Sequence, residues 1–335
     1  MRPWSVKLLS KETSMKTRRF AVGFMMFFTI LVADAPLLYA EQQFVASIIT
    51  GDLQRYRSAH DAFMKILQAG GMGEDKVKIY VQTPNPDVMS WANSIRKAVG
   101  GGADLIITYG APVTLVAQKE AKNTPVLFAD VYDPVALGIV KDLAATGGAI
   151  SGIASTTPVE TLARTLSEIQ PPKVILALFS SSEQGSLLQE KRMAEQGKKF
   201  GFSVIKADIK NRDAARKAIS DAAGKADAVY ITESIQLTQW VQELISLAHE
   251  KRLPVLTQIP GSGEKGAFLT LEADPVEQGQ LLAVHALQVL GGQKVFTLPV
   301  RTPKKVALVV NMKVAEQLGI TVPFQALSLA TRVIK

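Results

Sequence analysis

The 335-residue chain predicts an α/β protein of two lobes, each a parallel sheet covered by helices. Three observations predict it. Short β-branched apolar runs alternate with segments of helical period nearly from end to end, the pattern of parallel sheets covered on both faces. The length suffices for two cores, and 47% apolar against 20% charged residues is the balance of an ordinary globular chain. The alternation breaks at a glycine-rich stretch past Val140 and then resumes, so the chain passes between the lobes, and late segments weave back.

The first forty residues precede this pattern. Lys16, Arg18 and Arg19 lead into the apolar run Phe20–Val32, and LLYA ends at Ala40. Basic flank, apolar core and small residue are the parts of a secretory signal, cleaved near Ala40, with Met1 or Met15 as the start. The run is shorter than the ~20 residues of a spanning helix, and Asp34 follows it closely; an uncleaved anchor is the alternative. Phe44–Thr50 is the first strand, stopped by Gly51-Asp52, and apolar Leu53, Tyr56, Ala59, Phe63, Ile66 and Leu67 mark the first helix. Val77–Val81 is the second strand, and Thr83–Asp87 turns into a helix ending at Gly100–Gly102. Leu105–Thr108, a helix opened by Pro112, Val126–Ala129 and the polar loop Asp130–Pro134 complete the first series.

The run Ala149–Ala154 reads as the first crossing and the hinge. The second series is a helix Val159–Ile169, a strand Val174–Phe179, the loop Ser180–Ser186, a helix to about Phe200 and a strand Ser203–Ala207. A helix Arg212–Ala223, a strand Ala228–Thr232, a helix Gln236–Lys251 and strands Pro254–Thr257 and Ala267–Glu272 follow. The helix Pro275–Leu290 stops at Gly291-Gly292, and the tail holds a strand Val306–Val310 and a helix starting near Lys313. The expected division is residues 41–149 with about 274–300 in one lobe, and 150–273 with about 301–335 in the other.

Composition removes several function classes. The chain has no cysteine, which excludes disulfides, thiol chemistry and a lipidated N-terminal Cys. Residues 1–40 carry six Lys or Arg against two acids, so the rest of the chain keeps +4 of the total +8. That charge is too mild and scattered for nucleic acid. His60, His249 and His285 are isolated within predicted helices, so no metal or other cofactor is expected. Phosphate-loop and G-x-S-x-G patterns are absent, and Gly70-Gly71 and Gly100–Gly102 end helices rather than begin them. Catalysis is therefore not expected. Export without lipidation points to the periplasm.

Pro125–Ile153 (PVLFADVYDPVALGIVKDLAATGGAISGI) and Lys304–Pro323 (KKVALVVNMKVAEQLGITVP) resemble the bacterial ABC-transporter substrate-binding proteins of the tryptophan/tyrosine type, the ABC_sub_bind group. In that family a DP turn, a GG-x-x-x-G crossing and a closing V-N-x-K segment recur in this order. Asp274–Gly279 and the helix after it match as well. The resemblance implies a periplasmic-binding-protein type I fold, two Rossmann-like lobes joined by a multi-crossing hinge. It implies a protein that closes on a small organic ligand, an amino acid in the family, and delivers it to an inner-membrane permease and its ATPase; a monomer is expected. A ligand-binding protein serving a sensor kinase is the alternative reading.

Loops at the carboxyl ends of parallel strands are where such a ligand would sit. In the first lobe the candidates are Asp52, the helix-opening turn Tyr109, Gly110 and Ala111, and the loop residues Asp130, Tyr132 and Asp133. Free amides at a helix start suit a carboxylate, and Gly110 admits close approach to the backbone. Tyr132 offers an aromatic wall with a polar tip, while Asp133-Pro134 also forms a turn. In the second lobe they are Ser181, Ser182 and Glu183, then Thr232, Glu233 and Ser234, with Glu233 the partner for an amine. One serine of the Ser180–Ser182 run caps a helix. Thr50-Gly51-Asp52-Leu53 stands where the family has Glu-His-Pro, and Thr232-Glu233-Ser234 where it has Thr-Asp-Asn. These departures leave the family's preference for aromatic amino acids unassigned here.

Overall fold

β1 (Gln43–Ile48), β2 (Val77–Gln82), β3 (Leu105–Tyr109), β4 (Val126–Val131) and β5 (Ile150–Ala154) form a parallel sheet in the order β2-β1-β3-β4-β5. The structure is a computed structural model describing residues 42–335. The signal expected over residues 1–40 lies outside them. Among the described residues no helix is long and apolar enough to cross a membrane. β3 and β4 are buried along their whole length, which is why their sequences are continuous apolar runs rather than alternating ones. Helices α1 (Gln54–Ala69), α2 (Val88–Gly100) and α3 (Ala111–Glu120) connect the strands.

The second sheet has seven strands. These are β6 (Val174–Phe179), β7 (Ser203–Asp208), β8 (Ala228–Ile231), β9 (Val255–Thr257), β10 (Leu269–Ala273), β11 (Val306–Asn311) and β12 (Arg332–Ile334). Their order is β12-β11-β10-β9-β8-β6-β7. α4 (Val159–Ile169), α5 (Gln184–Phe200), α6 (Arg212–Ala222) and α7 (Ile235–Glu250) accompany them. Alternate residues feed two separate cores. Ile175, Ala177 and Tyr230 pack with α4, while Leu176, Leu178, Val229 and Ile231 pack with α6 and α7. α8 (Pro275–Leu290) leaves this lobe and lies against α1, where Leu282, Ala283 and Ala286 join the first core.

Two expectations about topology need correction. Ile150–Ala154 is not a linker: it is fully buried and pairs in parallel with β4, so the first crossing comes later, at Ser155–Pro158. Its apolar residues find a vacant sheet edge, which an extended hinge would have left exposed. β11 runs antiparallel to β10. The helix after β10 is used in the other lobe, so the chain returns from the opposite direction and cannot make a parallel crossover. The returning segment is stitched to the other crossings. Ala154 N–H donates to Arg301 O (2.8 Å), Arg301 N–H to Gly152 O (3.0 Å), and Asp274 N–H to Lys305 O (3.0 Å).

The V-N-x-K segment has a physical role. Asn311 Oδ1 caps α9 (Met312–Leu318) by accepting from Val314 N–H at 3.1 Å, and Asn311 Nδ2 donates to Gly263 O at 2.9 Å. Both bonds are buried. Asn311→Ala leaves two groups unpaired and should lower stability by roughly 1–3 kcal/mol in urea denaturation. An unchanged midpoint would contradict this role.

Candidate functional site

Where the lobes meet, a cavity of about 30 Å3 is lined by Arg55, Tyr56, Ala111, Pro112, Asp130 and Tyr132 of the first lobe and Glu183, Gly185, Ser186, Gln189 and Glu233 of the second. Each enters from the carboxyl end of a strand or the first turns of the helix that follows. The cavity floor owes its shape to a bulge. Between Phe128 and Val131, β4 spends three residue steps where β5 spends two. The extra step leaves Asp130 in the left-handed region (φ +56°), a conformation Asp tolerates. Its N–H donates to Gln278 Oε1 of α8 at 2.8 Å, and its carboxylate faces the cleft.

Arg55, in the first turn of α1, lies against that carboxylate. Arg55 Nε donates to Asp130 Oδ2 at 2.6 Å, Nη1 to Thr238 Oγ1 of α7 at 2.8 Å, and the guanidinium lies 4.9 Å from the Tyr56 ring centroid. Burial alone would favour losing the proton, but Tyr56, Asp130 and Glu233 around it hold Arg55 charged. Across the cleft, Glu233 and Gln189 bind reciprocally: Gln189 Nε2 donates to Glu233 Oε2, and Glu233 N–H to Gln189 Oε1, both at 2.7 Å. Glu183 accepts the first N–H of α7, from Ile235, at 2.9 Å. Burial pushes the Glu233 carboxyl up to about 8 against the pull of Arg55. It likewise pushes Glu183 up to about 7, against the Ile235 N–H and Arg55. Three carboxyl groups thus share one guanidinium, an acid surplus that suits a cationic group. The starts of α3 and α5 supply uncommitted amides and positive dipole ends suited to an anion.

Contacts on either side of the cavity tie the lobes together. Arg192 of α5 donates to Tyr132 Oη (3.1 Å), pairs with Asp133 and lies 5.1 Å from the Tyr132 ring centroid. Gln239 Nε2 donates to Gly51 O at 2.9 Å.

Of the thirteen candidate residues, Ala111, Asp130, Tyr132, Glu183 and Glu233 line this cavity. The others do not. Tyr109 points inward: it is fully buried, donating or accepting at His60 Nδ1 (3.0 Å) and tilted against Tyr56. Gly110 (φ +90°) makes room for Tyr56, since a Cβ there would fall 2.2 Å from its hydroxyl oxygen. Asp52 is exposed and paired with Arg57. Asp133 pairs with Arg192 and accepts from Ala136 N–H within its own turn. Ser181 is drawn to Asp208 and Lys210 at the lobe surface, and Ser182 bonds Ser180. Thr232 is buried against Ser186, and Ser234 caps α7. Arg55, Tyr56, Gly185, Ser186 and Gln189 were not among the candidates. A charged residue two places after Leu53, at a helix start following a strand end, was the available signal for Arg55.

Among the described residues no cluster of His, Asp and Glu could hold a metal ion. The family model described as ABC transporter substrate binding protein matches residues 45–334, and the chain belongs to that family. Its role is binding rather than catalysis. A curated relative, a tyrosine-binding protein of Clostridioides difficile, is 26% identical over 255 residues, covering 76% of this chain and 74% of the relative. Among solved structures, a domain from Streptococcus pneumonia in complex with L-Trp is 24% identical, with TM-score 0.82 over 88% of this chain and all of that one. The ligand-free, open form of a substrate-binding protein with adhesive properties from Clostridium difficile is also 24% identical. Its TM-score is 0.67 over 88% of this chain and 99% of that one. These neighbours share the type I periplasmic-binding fold.

Proposed function

We propose that the protein is a periplasmic solute-binding protein of an ABC importer, working as a monomer and closing on a small amino-acid-type ligand between its lobes. The observation that carries this reading is the inter-lobe cavity, where Glu183 and Glu233 suit an amine and the starts of α3 and α5 suit a carboxylate. The ligands named for the clostridial and streptococcal relatives support the same class. Contacts such as Arg192 to Tyr132 and Gln239 to Gly51 support closure, because they exist only with the lobes together. In the cell, the closed form would present its ligand to an inner-membrane permease driven by its ATPase.

A thermal-shift screen of the chain from residue 41 onward against amino acids, small carboxylates and sugars tests the reading. At least one amino acid should raise the melting temperature, by mass action on the folded state. Tyr132→Ala should weaken that ligand about tenfold or more, through lost wall area and the lost Arg192 contact. Stabilisation by sugars alone, or an affinity indifferent to Tyr132, would overturn it.

A further inference from the structure

Six residues of α7 are buried, and they do not share one core. Leu237, Val241, Leu244, Ile245 and Ala248 pack into the second lobe, to which the helix belongs. Ile235, the first residue of the helix and 3% exposed, packs instead with the core of the first lobe. One contact there is Gly51, in the turn that follows β1. A Cβ on Gly51 would stand 2.5 Å from Ile235 Cγ2, and Gly51 has φ +75°, so both space and backbone conformation favour glycine.

Ile235, Thr238 and Gln239 are spaced i, i+3 and i+4 and so stand on one face of the helix. That face grips one short segment of the other lobe. Gln239 Nε2 donates to Gly51 O at 2.9 Å, and Thr238 Oγ1 accepts from Arg55 Nη1 at 2.8 Å. The same corner is tied to the cavity, because Ile235 N–H donates to Glu183, which lines it. Ile235 itself does not line the cavity. Parting the lobes would return its side chain to water while the other five stay buried, so this burial is a gain of closure alone.

We propose that Ile235 is the positioning residue of lobe closure: an apolar latch, seated over Gly51, that sets how tightly a ligand is held without touching it. This rests on the closure reading above. Apparent affinity is the intrinsic affinity reduced by the fraction of protein in the competent form, so a weaker latch lowers affinity for every ligand of the cleft. The loss falls on dissociation, because the latch engages after the ligand has entered. Ile235 thereby acts on retention and not on ligand choice.

Calorimetry and stopped-flow kinetics of wild type, Ile235→Ala, Gly51→Asn and the double variant test the proposal. The probe is whichever of the twenty standard amino acids binds wild type most tightly. Asn tolerates positive φ and supplies the intruding Cβ. Each single change should weaken the probe about tenfold or more, chiefly through faster dissociation. In the double variant the Cβ at position 51 enters space that the truncated side chain vacates, so its affinity should be no lower than that of Gly51→Asn alone. If Ile235→Ala does not fold, Ile235→Val replaces it, with an expected loss of about threefold. A merely structural residue would lower the urea midpoint and leave the dissociation rate alone. Because the chain has no cysteine, spin labels on cysteines introduced at exposed Asn85 and Asp213, one per lobe, report the separation of the lobes. Affinity and dissociation within a few-fold of wild type, or strictly additive losses, overturn the latch while the amino-acid reading stands. Binding of no amino acid to wild type overturns that reading. The latch is then judged on the label distance in the unliganded protein: lengthening in Ile235→Ala supports it, and an unchanged distribution overturns it.

Discussion

Glu233→Gln is expected to weaken an amine-bearing ligand by about 3 kcal/mol, roughly a hundredfold, because a buried ammonium then loses its carboxylate partner. Calorimetry of the variant against wild type reads this directly, and an affinity within a few-fold of wild type would remove Glu233 from the site. The same residue sets a pH dependence. Burial raises the carboxyls of Glu233 to about 8 and Glu183 to about 7, so both hold protons below those values in the free protein. A cationic ligand needs the ionised form and must expel a proton. Affinity should therefore fall as pH drops below about 8, by up to about tenfold per unit for each proton released.

Stability of the unliganded protein should move the other way. A carboxyl raised from its ordinary 4.5 favours the folded state while protonated, so its contribution is complete below about 4.5 and is lost as pH rises through about 8. Melting temperature without ligand should decline across that window while protection by ligand grows. Glu233→Gln should flatten both trends. Titrating in two buffers of different ionisation enthalpy counts the protons released, and a count of zero would contradict the scheme.

Gly279→Ala is expected to cost about 3 kcal/mol or more, against the ~1 kcal/mol that alanine gains over glycine in a helix interior. The added Cβ would stand 1.9 Å from the Ala59 carbonyl oxygen, 2.8 Å from its carbon and 3.0 Å from its Cα. No rotamer relieves a clash with backbone, so α8 and α1 must separate. Urea denaturation should register a lower midpoint at unchanged slope. Because α1 carries Arg55 and Tyr56, ligand affinity should fall as well. A variant as stable as wild type would mean that the two helices are not held at this spacing.

Most elements were legible because their periods are strong and their ends are punctuated. Val159–Ile169, Val174–Phe179 and Pro275–Leu290 form over the same residues that their patterns mark. β12 was not legible: three residues carry no period, and Arg332–Ile334 becomes a strand only because β11 offers an edge. The antiparallel return of β11 was hidden because strand direction depends on where the preceding helix packs. At the candidate site, residue type and strand-end position led to Glu183 and Glu233, both of which line the cavity. The same two signals did not suffice for Ser181 or Asp52, whose side chains are captured by Asp208 and Arg57, one distant and one local. The bulge that aims Asp130 arises from the pairing of β4 with β5, and nothing local to Ala129-Asp130 announces it.

The stitching of the crossing segments to one another has a mechanical consequence. Separate tethers would let the halves slide, twist and bend independently, each motion with its own spring. Strands bonded side by side at Gly152–Arg301, Ala154–Arg301 and Asp274–Lys305 resist shear and torsion while leaving bending soft. With one compliant mode, the proposed closure would turn occupancy at the centre into a single angle at the outer face. A membrane partner would then need only to gauge that angle, without touching the ligand.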